Sequence, residues 1–278
     1  MNAGPSRCVE KVTRLLVVMA ILSLGSVATA QETPPPATTA GGVSAAELAK
    51  ANNPLADMNA LNLQDSWVPT ISGAPGDHAN TMNVRPVVVA GRQIIRATIP
   101  LATQPTSGGA YASGLGDINV FDAIMLTSEG AGTDVAVGPL LVLPTATSDA
   151  LGQGKWQAGG AAVAIHPLPG GSVVGALVTY QTSFAGDSDR PGTSILAAQP
   201  LATMGMGGGY YFRSTAVWVF DFKNDRALVP IGMGIGRAFK GLGGVVNAFI
   251  EPQFTVYAKG AQQPALQLFT GVNMQWGR

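Results

Sequence analysis

The sequence predicts an all-β protein: an antiparallel, up-and-down transmembrane β-barrel of about 12 strands, preceded by a signal peptide and a short N-terminal linker and helix. Three observations predict it. Charged residues are 12% of the 278 residues while hydrophobic residues are 46%, against roughly 25% charged in soluble domains. No apolar run after the N-terminal leader approaches the ~20 residues that a spanning helix needs. Instead, long extended segments place apolar side chains on alternate positions, which a sheet sends to one face.

The leader comes first. Arg7, Lys11 and Arg14 form a basic region, Leu15 to Leu24 is apolar except for Ser23, and Ala28-Thr29-Ala30 has the small-residue pattern of a cleavage site. Cleavage after Ala30 is expected, and with it export. The predicted organisation is therefore residues 1–30 signal peptide, 31–57 disordered linker with a short helix, and 58–278 barrel. The single cysteine, Cys8, lies ahead of the apolar run, so the mature chain has no thiol, disulfide or cysteine-based metal site. The 16 basic and 16 acidic residues balance, which offers nothing to nucleic acid. No cofactor or metal is expected.

Residues 31–42 carry Pro, Thr and Ala but no large apolar side chain, the composition of a linker. Ser44-Ala45-Ala46-Glu47 has the spacing of a capping box, in which Ser and Glu each satisfy the other's backbone N–H. A helix of about two turns is predicted, ending near Asn52-Asn53-Pro54.

The remainder divides into extended segments at approximately 58–69, 81–89, 92–101, 115–127, 133–144, 155–166, 172–184, 194–205, 209–222, 227–239, 244–258 and 264–276. Most reach the ~9–11 residues of a tilted membrane strand. The pattern is clearest in the last two. Val246, Ala248, Ile250, Pro252, Phe254 and Val256 alternate with Asn247, Phe249, Glu251, Gln253 and Thr255. Leu266, Leu268, Thr270, Val272, Met274 and Trp276 alternate with Gln267, Phe269, Gly271, Asn273 and Gln275. Long connections alternate with short ones, as expected when outer loops are long and periplasmic turns short. Asp122 falls on the apolar face of 115–127, so a bulge or register error is expected there. Gly232, Gly234 and Gly236 share one face, which is read as a lumen-facing stripe making room for a bulky neighbour.

Several motifs resemble those of the outer-membrane barrel family labelled for the MetA pathway of phenol degradation, whose members are described as transporters. They are Asn53-Pro54-Leu55-Ala56-Asp57, Asn83-Val84-Arg85-Pro86-Val87, Arg96-Ala97-Thr98-Ile99-Pro100-Leu101 and Gln104-Pro105. They continue with Gly114-Leu115-Gly116-Asp117-Ile118, Gly138-Pro139 and Leu143-Pro144-Thr145-Ala146-Thr147. Leu151-Gly152-Gln153-Gly154-Lys155-Trp156 and Ala185-Gly186-Asp187-Ser188-Asp189-Arg190-Pro191 are the most specific, followed by Val229-Pro230-Ile231-Gly232 and Pro264. The resemblance implies an outer-membrane barrel passing small hydrophobic or aromatic compounds. Family members commonly end on an aromatic residue, whereas Gly277-Arg278 follow Trp276 here.

Arg85, Arg96, Asp117, Arg213 and Glu251 are assigned to the lumen, because a base facing lipid costs about 2–4 kcal/mol near the midplane. Phe121, Phe249 and Phe269 share those inward faces. The arginines are expected to pair with Asp117 and Glu251 across the lumen, forming a constriction. No catalytic residue is assigned. His78 and His166 lack a serine two residues on, and the acids Asp149, Asp187 and Asp189 are too few and separated for calcium. The expected function is a passive channel or binding barrel in the outer membrane of a Gram-negative bacterium. Its expected partners are membrane lipid, the barrel-assembly machinery and small hydrophobic or aromatic solutes. The alternatives are a structural envelope barrel without solute and a lipid-modifying barrel hydrolase.

Overall fold

The computed structural model describes residues 42–106, 109–128 and 131–277. The expected signal peptide with its expected cleavage after Ala30, and the expected linker up to residue 41, lie outside the described residues. Among the described residues no helix is long and apolar enough to cross a membrane.

The segments are β1 (Asn59–Ile71), β2 (Ala79–Ala90), β3 (Gln93–Pro105), β4 (Tyr111–Leu115), β5 (Ile118–Met125), β6 (Asp134–Leu143), β7 (Lys155–Leu168) and β8 (Ser172–Gly186). They continue as β9 (Ser194–Gly207), β10 (Tyr210–Ser214), β11 (Trp218–Asp221), β12 (Arg226–Gly232), β13 (Gly234–Gly241), β14 (Gly244–Lys259) and β15 (Pro264–Trp276). All pair antiparallel in one sheet. β1 pairs with β15, from Asn59↔Trp276 to Ile71↔Pro264, and this seam closes the sheet on itself. Three pairs of segments, β4–β5, β10–β11 and β12–β13, are single strands with an interruption, so the barrel has 12 strands.

The interruptions have identifiable causes. Gly116 donates to the Pro100 carbonyl, and Met233 donates to the Pro252 carbonyl. Proline has no N–H to return, so the ladder lapses opposite each. At Thr215 the backbone N–H goes to Glu251 Oε1 at 2.8 Å instead of to a neighbouring strand.

Large apolar side chains on the outer face are exposed, as lipid-facing groups are: Ile250, Phe254 and Val256 on β14, and Ile231, Ile235 and Met233 nearby. Outward aromatic residues gather near the two rims. Trp67, Trp156 and Phe184 lie toward the outer end, and Tyr210 and Phe239 toward the inner end, where interfacial rings are favoured. Trp276 donates from Nε1 to the Leu242 carbonyl at this inner rim. Arg237 faces outward there too, with its guanidinium 4.7 Å from the Tyr210 ring centroid.

The bulge or register error expected at Asp122 is absent. The β5–β6 register runs unshifted from Ile118↔Leu143 to Met125↔Ala136. Asp122 faces outward near the inner rim and accepts a hydrogen bond from Gln93 Nε2 at 2.7 Å. A carboxylate is tolerated on that face when it sits near an interface and has a donor.

The predicted helix is α1 (Ala45–Asn52), with both halves of its capping box formed. It does more than join a linker to the barrel, because residues 42–57 sit in the inner mouth. Leu48 and Ala51 pack with Tyr211, Ala238, Val245, Phe249 and Phe269. Leu55 enters a second cluster with Val89, Ile94, Phe121, Ala136, Leu140, Ile165 and Val173. The Ala51 carbonyl, one of the orphan acceptors at a helix C-terminus, accepts from Asn247 Nδ2 and Gln275 Nε2 at 3.1 and 3.2 Å. Asn53 Nδ2 reaches Asp134 Oδ2 at 2.8 Å. The linker prediction missed this docking because the apolar positions of 42–57 have no repeat of their own. Their partners are the inward residues of distant strands.

Candidate functional site in the barrel lumen

Inside the barrel, these two apolar clusters occupy the half nearer the inner mouth, where a cleft of about 720 Å³ lies beside the helix, lined by Lys50, Leu55, Val89 and Arg92. The other half holds a chamber of about 380 Å³. A smaller cavity of about 140 Å³ lies toward the helix and is bounded by Ala51, Asn52, Asn53 and Pro54. Arg85, Arg96, Leu177, Gln199, Thr215 and Phe269 line both spaces and form the waist between them.

Arg213 and Glu251 form the densest polar cluster. Arg213 Nε lies 2.7 Å from Glu251 Oε2, and the Glu251 side chain is fully buried. Thr215 Oγ1 accepts from Arg213 Nη2 at 2.6 Å and donates to Glu251 Oε2 at 2.7 Å. Gln253 Nε2 adds a donor to Oε1. The guanidinium carbon lies 3.5 Å from the Phe249 ring centroid and 5.5 Å from that of Phe269, and the two rings are tilted at 53° with centroids 5.1 Å apart. A buried pair is held only when its remaining donors and acceptors are satisfied, and here they are shared among Thr215, Gln253 and the rings.

Two glycines of the predicted stripe, with Gly271 on β15, leave room for this cluster and the adjoining Tyr211 ring. A Cβ at Gly232 would lie 2.0 Å from Glu251 Oε1, one at Gly236 would lie 2.3 Å from the Tyr211 ring, and one at Gly271 would lie 2.4 Å from Phe249 Cζ.

Among the described residues the other two lumen arginines have no carboxylate partner. Arg85 donates through Nη1 to Gln64 Oε1. Among the described residues the Arg96 side chain has no hydrogen-bond or ion-pair partner, and its guanidinium lies 4.3 Å from the Phe121 ring centroid. The Nε atoms of both are sealed from solvent without a hydrogen-bond partner.

Asp117 corrects the expected pairing. It lies at the outer rim, where Oδ2 accepts from the Gln153 amide at 2.6 Å and Oδ1 from the Ala146 amide at 3.2 Å. The strand interruption at Gly116-Asp117 resets the alternation that assigned it inward. Arg190 works beside it, contacting Asp149 Oδ1 at 3.1 Å and the carbonyls of Asp149 and Gly152. The motif stretches around Asp117, Thr145, Gly152 and Arg190 thus converge on one outer-loop scaffold. Of the remaining predicted residues, Arg85, Arg96, Phe121, Phe269 and Arg213 line the lumen spaces, while Phe249 and Glu251 stand behind Arg213. Gln64, Tyr211 and the helix residues Leu48 and Ala51 belong to the same interior without having been singled out.

The histidines are engaged elsewhere. His78 Nδ1 lies 2.9 Å from the Tyr111 hydroxyl, and His166 Nδ1 lies 2.9 Å from Thr133 Oγ1. Among the described residues no serine hydroxyl bonds to either ring.

The comparisons agree on architecture. The chain is similar to the COG4313 outer membrane channel from Pseudomonas putida F1, with a TM-score of 0.56 and 11% identity over 79% of this chain and 94% of that one. It is similar to the NanC porin, with a TM-score of 0.51 and 10% identity over 78% of this chain and 100% of that one. No family profile matches the chain, and no curated protein resembles it significantly in sequence. The fold is that of an outer-membrane barrel.

Proposed function

We propose that the protein is a passive channel of the Gram-negative outer membrane, with a chamber that admits small amphipathic solutes, aromatic ones included. The chamber of about 380 Å³ carries this reading. Its wall combines the Phe121 and Phe269 rings and Leu140 and Leu177 with the amides of Asn119, Gln181 and Gln199, a lining suited to a solute with an apolar body and a polar end. The fold shared with the two channels above, and the motif resemblance to a family described as transporters, support it. Membrane lipid and the barrel-assembly machinery are the partners this reading requires.

The helix and apolar clusters in the inner half favour a second reading, a structural envelope barrel without a solute. Uptake of a labelled small aromatic alcohol by liposomes containing the purified protein separates the two. Uptake above that of protein-free liposomes is expected, and uptake equal to it leaves the structural barrel as the better account.

A further inference from the structure

We propose that Arg85 and Arg96 form an anion site at the waist of the lumen, and that the solute it takes is a small monocarboxylate with an apolar or aromatic body. The proposal deepens the channel reading and rests on it.

Among the described residues three arginines project into the lumen, and one of them is neutralised. Arg213 is committed to Glu251. Among the described residues, neither lumen space is lined by an aspartate or glutamate. The neutral groups Gln64, Ser66, Thr98, Asn119, Gln199 and Thr215 surround Arg85 and Arg96 instead. A guanidinium carries five N–H donors. Arg85 uses one on Gln64, and Arg96 uses none on the described residues. Both Nε atoms are sealed and unpaired. Two like charges in a low-dielectric enclosure, with unused donors, attract an anion and repel a cation. The planar donor fork of each matches a carboxylate, which takes two parallel hydrogen bonds.

The surroundings narrow the class further. Phe121 lies against Arg96, and Leu140 and Leu177 line the same chamber. A carboxylate at the arginines would leave its organic body against these groups, whereas an inorganic anion would leave them uncovered. This selects an aromatic or short aliphatic acid over phosphate.

The test is calorimetric titration of the detergent-solubilised mature protein with benzoate, benzyl alcohol and inorganic phosphate at constant ionic strength. Benzoate is expected to bind at least about tenfold more tightly than either of the others, a factor worth about 1.4 kcal/mol. Arg96→Gln and Arg85→Gln are each expected to weaken benzoate about tenfold, while Arg237→Gln on the outer face leaves it unchanged. Heat-modifiable gel mobility reports folding of each variant. If a lumen variant does not fold, the comparison of the three probes on the unaltered protein still decides. Equal affinity for benzoate and benzyl alcohol, no binding of either, or a folded Arg96→Gln protein with unaltered affinity overturns the site. Phosphate binding as tightly as benzoate overturns the assigned organic body. Failure of the two ideas is distinguishable: benzoate binding without liposome uptake of any solute sinks the channel and leaves the site, whereas uptake indifferent to charge does the reverse.

Discussion

Gly236 leaves the space that the Tyr211 ring fills: a Cβ on Gly236 would come within 2.3 Å of the Tyr211 hydroxyl oxygen. That hydroxyl donates to Asn247 Oδ1, and Asn247 Nδ2 donates to the Ala51 carbonyl and to Asn52 Oδ1, both at 3.1 Å. A missing side chain on one strand therefore positions a ring and an amide that hold the helix in the inner mouth. Gly236→Ala should force the ring aside, at the ~1–3 kcal/mol typical of overpacking. The heat-resistant, fast-migrating form should convert to the unfolded form at a lower temperature than for the unaltered protein. An unchanged conversion temperature would mean that the ring has room to move.

Glu251→Ala should be more damaging than loss of both partners of its ion pair. Removing the carboxylate leaves Arg213 buried without a counter-charge, a change that commonly costs about 3–5 kcal/mol. Arg213→Met combined with Glu251→Leu removes both charges and should recover much of that loss. Urea unfolding in lipid vesicles gives the comparison. A double variant less stable than Glu251→Ala would contradict the pairing as the dominant interaction.

The helix should dock less firmly in acid. Backbone and side-chain hydrogen bonds with Ser44 and the nearby Lys240 ammonium hold the Glu47 carboxyl below its ordinary value of 4.5. Lys240 Nζ lies 3.1 Å from Glu47 Oε1. The ionised form is favoured in the docked state, so its contribution is present above the ordinary value and is lost as pH falls through the lowered one. Amide hydrogen exchange over 45–52, corrected for intrinsic rate, should accelerate below about pH 4.5. Glu47→Gln should remove most of that dependence. An equally steep dependence in this variant would assign it to another group.

Much of the architecture was legible because β14 and β15 run without interruption. Glu251 and Phe269 face inward and Ile250 and Leu268 outward, as period-two reading assigns them. Asp117 was misread because Gly116 breaks the ladder opposite Pro100, and alternation has no memory across a break. Arg85 and Arg96 were assigned to the interior, but not their lack of acidic partners. Period two says which side of the sheet a residue faces and nothing about its position around the ring. The docking of Leu48 and Leu55 was illegible for the same reason, since their contacts come from strands scattered through the chain. Asp122 was taken for a register fault because sequence alone does not show that Gln93 stands beside it near the rim.

In the proposed channel, residues 42–57 close the inner half of a barrel whose outer half is open to solute. Single-channel recording of the purified protein and of Leu48→Asp in planar lipid bilayers tests it most directly, with gel mobility confirming that both are folded. Leu48 is buried among Tyr211, Phe249 and Phe269, and a carboxylate there should expel the helix. The account predicts brief or small openings for the unaltered protein, and longer and larger ones for Leu48→Asp. Identical conductance and open times in the two folded proteins would contradict it.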